Sequence, residues 1–168
     1  LEQKGLCNFV HTIIDLMQLN SNSRVIQFAS LSFDAAVFEI FTTLVAGGTL
    51  CVSSQEDVMP GEPLTRFLQN NRITHAVLPP TVLNVLEESK FEHLKVVVSG
   101  GSVCSEEIAK RWSNNRIFIN AYGPTEATVC ATAGIYEGNG QPPIGRPLSN
   151  VEVYVLDQNQ KLVPIGVA

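Results

Sequence analysis

Apolar positions along the chain switch between a period of about 3.6 residues and short unbroken runs. That switching predicts helices alternating with strands. Residues 5–19 place Leu6, Phe9, Val10, Ile13, Ile14, Leu16 and Met17 on one broad face, the spacing of a helix with a buried side. Asn20-Ser21-Asn22-Ser23 closes it as a polar loop, and residues 24–29 predict a strand. Residues 35–46 predict a second helix, apolar on most sides and therefore mostly buried. Gly47-Gly48 ends it, and residues 49–53 predict a short strand. A polar loop over 55–62 leads to an amphipathic helix over 64–70 and a strand over 73–78. Pro79-Pro80 stops that strand and opens a helix over 81–88. Residues 94–99, with Val96-Val97-Val98 in a row, form the apolar run of a parallel strand covered on both faces. A helix over 105–113 and a strand over 116–119 follow. Beyond Gly123-Pro124, residues 127–133 predict a strand, 136–143 a loop and Ile144-Gly145-Arg146-Pro147 a structured turn. Residues 151–156 predict a last strand, returning through a hairpin turn at Asp157-Gln158-Asn159-Gln160. This order predicts an α/β fold: a mostly parallel sheet flanked by helices, with a β-rich C-terminal segment.

Composition narrows the function classes. A chain of 168 residues suits one domain with a real core, and 45% hydrophobic against 16% charged residues excludes disorder. The net charge of −5 and the absence of a basic run argue against a nucleic-acid partner. No apolar run is long enough to span a membrane, and Leu1-Glu2-Gln3-Lys4 is not a signal peptide, so a cytoplasmic location is expected. The missing initiator Met and the ending Pro164-Ile165-Gly166-Val167-Ala168 are those expected of a piece of a longer polypeptide. Cys7, Cys51, Cys104 and Cys130 are too far apart for a zinc or dithiol motif and read as free thiols, mostly buried. His11, His75 and His93 show no ligand spacing and read as packing or surface residues.

Three places carry candidate chemistry. In Asn120-Ala121-Tyr122-Gly123-Pro124-Thr125-Glu126 a strand breaks sharply at Gly-Pro. Tyr122 offers a ring for a purine, Thr125 a hydroxyl for a phosphate oxygen, and Glu126 a carboxylate for Mg²⁺. A tight turn with a solvated Glu accounts equally for that motif in isolation. Asp34, at the edge of the second helix, reads either as a plain N-cap or as a carboxylate at a pocket rim, able to pair with a ligand ammonium. Gly100-Gly101-Ser102, between strand and helix, lets backbone approach a ligand closely, or is an ordinary βα turn. It is neither a P-loop nor a hydrolase elbow.

Taken together, these stretches resemble the adenylation domains of non-ribosomal peptide synthetases, within the adenylate-forming enzymes. Asn120 to Glu126 is similar to the family's adenine- and magnesium-binding motif. Phe33-Asp34-Ala35-Ala36-Val37-Phe38-Glu39 resembles the aromatic-Asp motif at its substrate pocket, and Leu78-Pro79-Pro80-Thr81 its Pro-Pro turn. Ser99-Gly100-Gly101-Ser102 resembles the glycine loop beside the adenylate, and Ile144-Gly145-Arg146-Pro147 with Val153 to Asp157 the stretch leading to the next motif. Five stretches in the family's order span almost the whole chain.

The resemblance implies part of a large N-terminal subdomain, residues 1–168, that activates an amino acid with ATP and Mg²⁺. Tyr122 would pack on adenine with Asn120 nearby, Thr125 would bond the α-phosphate, and Glu126 would hold the metal. Gly101, Ser102 and Gly123 would border the nucleotide, with Thr125 and Glu126 as the catalytic pair. Asp34 would take the α-ammonium. Ala35, Phe38, Val77, Val98, Gly100, Ala121, Val129 and Cys130 would wall the side-chain pocket. That wall is apolar or small throughout, so a bulky apolar amino acid is expected, phenylalanine first and leucine next. The acyl group would pass to the phosphopantetheine thiol of a peptidyl carrier domain, with a condensation domain as a further partner. The family's phosphate loop and its lysine-bearing C-terminal subdomain fall outside the sequence, which implies an inactive fragment with apolar surface exposed at a cut sheet. Two other readings stay open: an acyl-CoA or aryl-acid ligase of the same superfamily, and a non-catalytic nucleotide-binding module. A hydrolase has no nucleophile–base arrangement to support it.

Overall fold

The computed structural model describes residues 2–167; Leu1 and Ala168, the ends of the expected domain span, lie outside them. The helices are α1 (Gln3–Met17), α2 (Ala35–Val45), α3 (Glu62–Asn70), α4 (Pro80–Val85) and α5 (Glu106–Trp112). The strands are β1 (Arg24–Gln27), β2 (Thr49–Val52), β3 (His75–Val77), β4 (Val96–Ser99), β5 (Ile117–Tyr122), β6 (Thr132–Ile135) and β7 (Arg146–Pro147). They form one seven-stranded sheet in the order β2-β1-β3-β4-β5-β6-β7. The first five are parallel, while β6 and β7 join antiparallel.

Strand alternation sorts the core into two layers. Ile26, Ala76, Val97 and Phe118 face α3, α4 and α5, where Leu64, Leu68, Leu83 and Trp112 meet them. Val25, Val96, Val98 and Ile119 face the other way, onto Phe9, Ile13 and Met17 of α1 and Phe38 of α2. The unbroken apolar run of β4 is therefore buried along its whole length. Pro80 opens α4 at its first turn, and Ser105 caps α5 by accepting the Ile108 N–H at 3.3 Å.

Three expectations are corrected. First, α2 is not mostly buried: Phe41, Leu44 and Val45 are 44%, 58% and 55% exposed. The helix turns Ala36, Phe38, Glu39, Thr42 and Thr43 inward instead. Its inward hydroxyls are satisfied within the helix, Thr42 donating to the Phe38 carbonyl at 2.7 Å and Thr43 to that of Glu39 at 2.5 Å. Second, residues 127–133 are not a strand. Thr125–Ala127 is a 3₁₀ turn, Thr128 and Val129 have φ of 60° and 70°, and the strand begins at Thr132. Third, residues 151–156 find no ladder among the described residues beyond a single Leu156–Leu162 bridge. The hairpin turn itself is present, the Asp157 carboxylate accepting from the Asn159 and Lys161 N–H groups.

Candidate functional site

The parallel order β2-β1-β3-β4-β5 reverses direction between β1 and β3. In open α/β sheets that switch point leaves a crevice beyond the carboxyl ends of the strands, where ligands bind. A cavity of about 430 Å³ opens there. Phe28 and Ala29 border it beyond β1, Val77, Leu78 and Pro79 at the end of β3, Val98, Gly100 and Gly101 at β4, and Ala121 and Gly123 at β5. The N-terminal end of α2 supplies Asp34, Ala35 and Phe38, and the turn after Thr128 supplies Val129 and Cys130. Every residue expected to wall a substrate pocket thus lies around this one cavity.

Asp34 does not cap α2. Its backbone is helical (φ −66°, ψ −21°) and its side chain makes no cap hydrogen bond. Among the described residues no cation pairs with it. Asp34 stands half-buried at the cavity, and apart from Ser30 the rest of the lining is apolar. The neighbouring Cys130 thiol is pushed up to about 12, first by burial and then by the Asp34 charge. A thiol held protonated in this way is an apolar wall, not a nucleophile.

Local backbone shapes this wall. Cys130 donates its N–H to the Thr128 carbonyl at 2.9 Å across Val129, a rare three-residue turn for a β-branched residue at positive φ. Opposite it, a side chain on Gly123 would begin 2.4 Å from the Ala131 nitrogen and the Cys130 Cα. Glycine is required there because the two backbones touch. Gly101 sits at φ 82°, which turns the chain from β4 toward α5.

The remaining candidates lie on the rim. Tyr122, at the end of β5, is 56% exposed. Thr125 and Glu126 are exposed in the 3₁₀ turn, and Ser102 is exposed beyond Gly101. Glu126 overlooks a second hollow bordered by the start of α1 and by Leu148 and Asn150. Asn120 is buried, its amide donating to the carbonyls of Pro142 and Pro143 at 3.2 and 3.0 Å, so it fastens that loop. Among the described residues no three His, Cys, Asp or Glu side chains gather into a metal cage. One open carboxylate beside a hydroxyl fits a Mg²⁺ ion carried largely by phosphate oxygens, the ordinary way this ion is bound with nucleotides.

The cavity also includes Phe28, Ala29, Ser30, Phe33, Leu78 and Pro79, none of which is singled out as pocket wall in the sequence. Phe33, Leu78 and Pro79 fall within the quoted motif stretches, while Phe28, Ala29 and Ser30 are marked only by their place just beyond the end of β1. Glu39 closes the aromatic-Asp stretch, but nothing in the sequence assigns it a role. It is fully buried, and its carboxylate accepts the Phe28 N–H at 3.0 Å and the Ala29 N–H at 3.0 and 3.2 Å. Burial raises its pKa to about 8 against the opposing effect of these bonds.

The chain matches the AMP-binding enzyme family over residues 1–168. It is 68% identical over 167 residues to bacitracin synthase 3 of Bacillus licheniformis, covering 99% of this chain and 3% of that protein. It is 43% identical over 168 residues to a linear gramicidin synthase of Brevibacillus parabrevis, covering 99% of this chain and 2% of the relative. The chain thus spans a few per cent of the length of these relatives. Among solved structures, the Vibrio cholerae adenylation domain AlmE in complex with glycyl-adenosine-5'-phosphate superposes with a TM-score of 0.83 at 25% identity, over 94% of this chain and 32% of that one. A four-domain nonribosomal peptide synthetase bound to AMP and glycine superposes at 0.86 and 26% identity, over 95% and 12%. The chain belongs to the AMP-binding enzyme family, and its likeness within that family is to the adenylation domains of non-ribosomal peptide synthetases.

Proposed function

We propose that this segment holds the amino-acid pocket and part of the nucleotide site of an adenylation domain, and that the full polypeptide converts a bulky apolar amino acid into its aminoacyl-adenylate. The observation that carries this reading is Asp34. It is a half-buried carboxylate at an apolar cavity, with no cation beside it among the described residues. A carboxylate that faces an apolar cavity with no cation beside it is placed to take an α-ammonium group, and the ion pair would be charge-assisted. The walls of Ala35, Phe38, Val77, Val98, Gly100, Ala121, Val129 and Cys130 offer no partner to a charged side chain. A cavity of about 430 Å³ has room for a bulky apolar side chain, and phenylalanine is the first candidate, with leucine next.

In the reaction, a carboxylate oxygen of the amino acid attacks the α-phosphorus of ATP. The bond from that phosphorus to the bridging oxygen breaks, and pyrophosphate leaves with the electron pair. The chain contributes position and charge: Asp34 orients the amino acid, Tyr122 stacks on adenine, and the Thr125 hydroxyl donates to an α-phosphate oxygen. Gly101, Ser102 and Gly123 border the nucleotide, while Asn120 steadies the 142–143 loop beside it. Bound Mg²⁺, held by Glu126, would neutralise phosphate charge. A peptidyl carrier domain would accept the acyl group, next to a condensation domain of the same synthetase; similarity to a four-domain synthetase supports partners of this kind.

An amino-acid-dependent ATP–pyrophosphate exchange assay on the full-length polypeptide tests the reading. Exchange driven best by phenylalanine or leucine, and lost in Glu126→Ala, is expected. Exchange driven by acids without an amino group, and indifferent to Asp34→Ala, would replace the reading by an acyl-CoA or aryl-acid ligase. No exchange with any acid from a folded protein would leave a non-catalytic nucleotide-binding module.

A further inference from the structure

Glu39 is a buried acid to which the proposed chemistry gives no part. Strand β1 ends at Gln27, whose ladder partner is Val52, so the next two amides leave the sheet without a strand to bond. Both turn to Glu39: Phe28 donates to one carboxylate oxygen at 3.0 Å, and Ala29 donates to both, at 3.0 and 3.2 Å. The Gln27 side chain donates to the Ala29 carbonyl. The Ser53 hydroxyl donates to the Gln27 carbonyl at 2.6 Å. The chain leaving β1 is thereby fastened to α2 through a single side chain.

The same short segment borders the cavity. Phe28 and Ala29 line it, and so do Asp34 and Phe38 from the helix that carries Glu39. A group that ties one wall to the helix bearing the other fixes the gap between them.

We infer that Glu39 is a positioning residue: it holds the Phe28–Ala29 wall at a set distance from Asp34 and Phe38, and so sets the width available to the amino-acid side chain. This rests on the amino-acid reading of the cavity. The chemistry demands an acid. A carboxyl group keeps an acceptor oxygen at both positions even when one of them is protonated, whereas glutamine of the same shape offers one oxygen and turns an NH₂ toward donors. Glu39→Gln can keep its one oxygen at the position both amides share, but it then sets an NH₂ donor 3.2 Å from the Ala29 nitrogen, and that donor–donor contact frees the wall to shift.

The test compares unaltered and Glu39→Gln full-length polypeptide in pyrophosphate exchange, and by amide hydrogen exchange without substrate. The KM for the preferred amino acid is expected to rise by about five- to tenfold, roughly the worth of one hydrogen bond. The KM for ATP should stay unchanged, and the ranking of bulky over small amino acids should flatten. A merely structural role would not separate the two KM values. Unchanged amino-acid KM and ranking in a protein that exchanges would overturn the inference. If neither protein exchanges with any amino acid, the proposed function falls, and amide protection decides the positioning role. Faster exchange at Phe28 and Ala29, with Val97 and Phe118 still protected, supports it; equal rates at all four overturn it.

Discussion

Asp34 and Cys130 share one corner of the cavity, and the Asp34 charge helps hold the thiol protonated. Removing that charge while keeping the shape separates ammonium binding from packing. For Asp34→Asn we expect the amino-acid KM in pyrophosphate exchange to rise about ten- to hundredfold, the range of a lost hydrogen bond to a charged group, with ATP affinity little changed. Two other buried ionisable residues govern stability against pH. The Glu39 pKa is raised from 4.5 to about 8, mainly by burial, so the native state binds a proton that the unfolded chain has released. Its contribution is complete below pH 4.5 and is lost as pH rises through 8. His75 is lowered from 6.5 to about 4 by burial, with Nε2–H donating to the Met17 carbonyl at 3.1 Å and Thr74 beside the other ring nitrogen. Its contribution is complete above pH 6.5 and is lost as pH falls through 4. Between pH 4.5 and 6.5 the two slopes oppose each other, each at most about 1.4 kcal/mol per pH unit. Above 6.5 only the Glu39 slope remains of the two. Urea midpoints measured across this range should therefore fall from pH 6.5 to 8, and Glu39→Gln should flatten that fall; an equally steep fall in the variant would refute the assignment.

At the scale of elements, the apolar pattern locates α1, α3 and α5 and strands β1 to β5 to within a few residues, because each buries one side in the core or, in β4, both. It fails where something other than burial decides the backbone. Thr128 and Val129 have strand propensity, yet contact between Gly123 and Cys130 forces a turn at positive φ, so tertiary packing overrides local preference. Residues 151–156 alternate correctly but meet no neighbouring strand among the described residues, and alternation without a partner yields no ladder. In α2 the hydropathy pattern misleads because the inward polar groups, Glu39, Thr42 and Thr43, all find partners. The strand ends offer the sharpest test of pocket size. A Cβ on Gly100 would lie 3.2 Å from the Ala121 carbonyl oxygen, tight but not prohibitive. Gly100→Ala should therefore fold, with the β4 and β5 ends displaced by a few tenths of an ångström and the cavity narrowed. Exchange with phenylalanine should drop about tenfold relative to exchange with valine or alanine, a difference of the size expected for a methyl group in an apolar pocket. An unchanged ratio would show that Gly100 does not limit the side chain.

At the scale of the whole molecule, the site follows from strand order. The motif residues are legible one by one, but their meeting place is not, because the switch between β1 and β3 depends on pairing across the sheet. That is why Phe28 and Ala29, at an unmarked strand end, are invisible in the sequence while Asp34 and Gly100 are not. The same architecture leaves an uncovered apolar side. Phe41, Leu44 and Val45 face outward on α2, and Val52, at 72% exposure, stands on β2, the edge strand that α2 leads into. Contiguous apolar surface on a soluble chain promotes association, and an edge strand adds unpaired backbone groups to it. The 168-residue chain by itself should therefore self-associate at micromolar concentration, as read by sedimentation velocity. Phe41→Ser combined with Leu44→Ser should shift it toward monomer with the helical circular dichroism retained, since neither side chain is part of the buried core. A chain that is monomeric without these substitutions would mean that the exposed face of α2 is too small or too broken to drive association. Association that persists in the double variant would transfer the cause to the β2 edge, where Val52→Lys is the corresponding change.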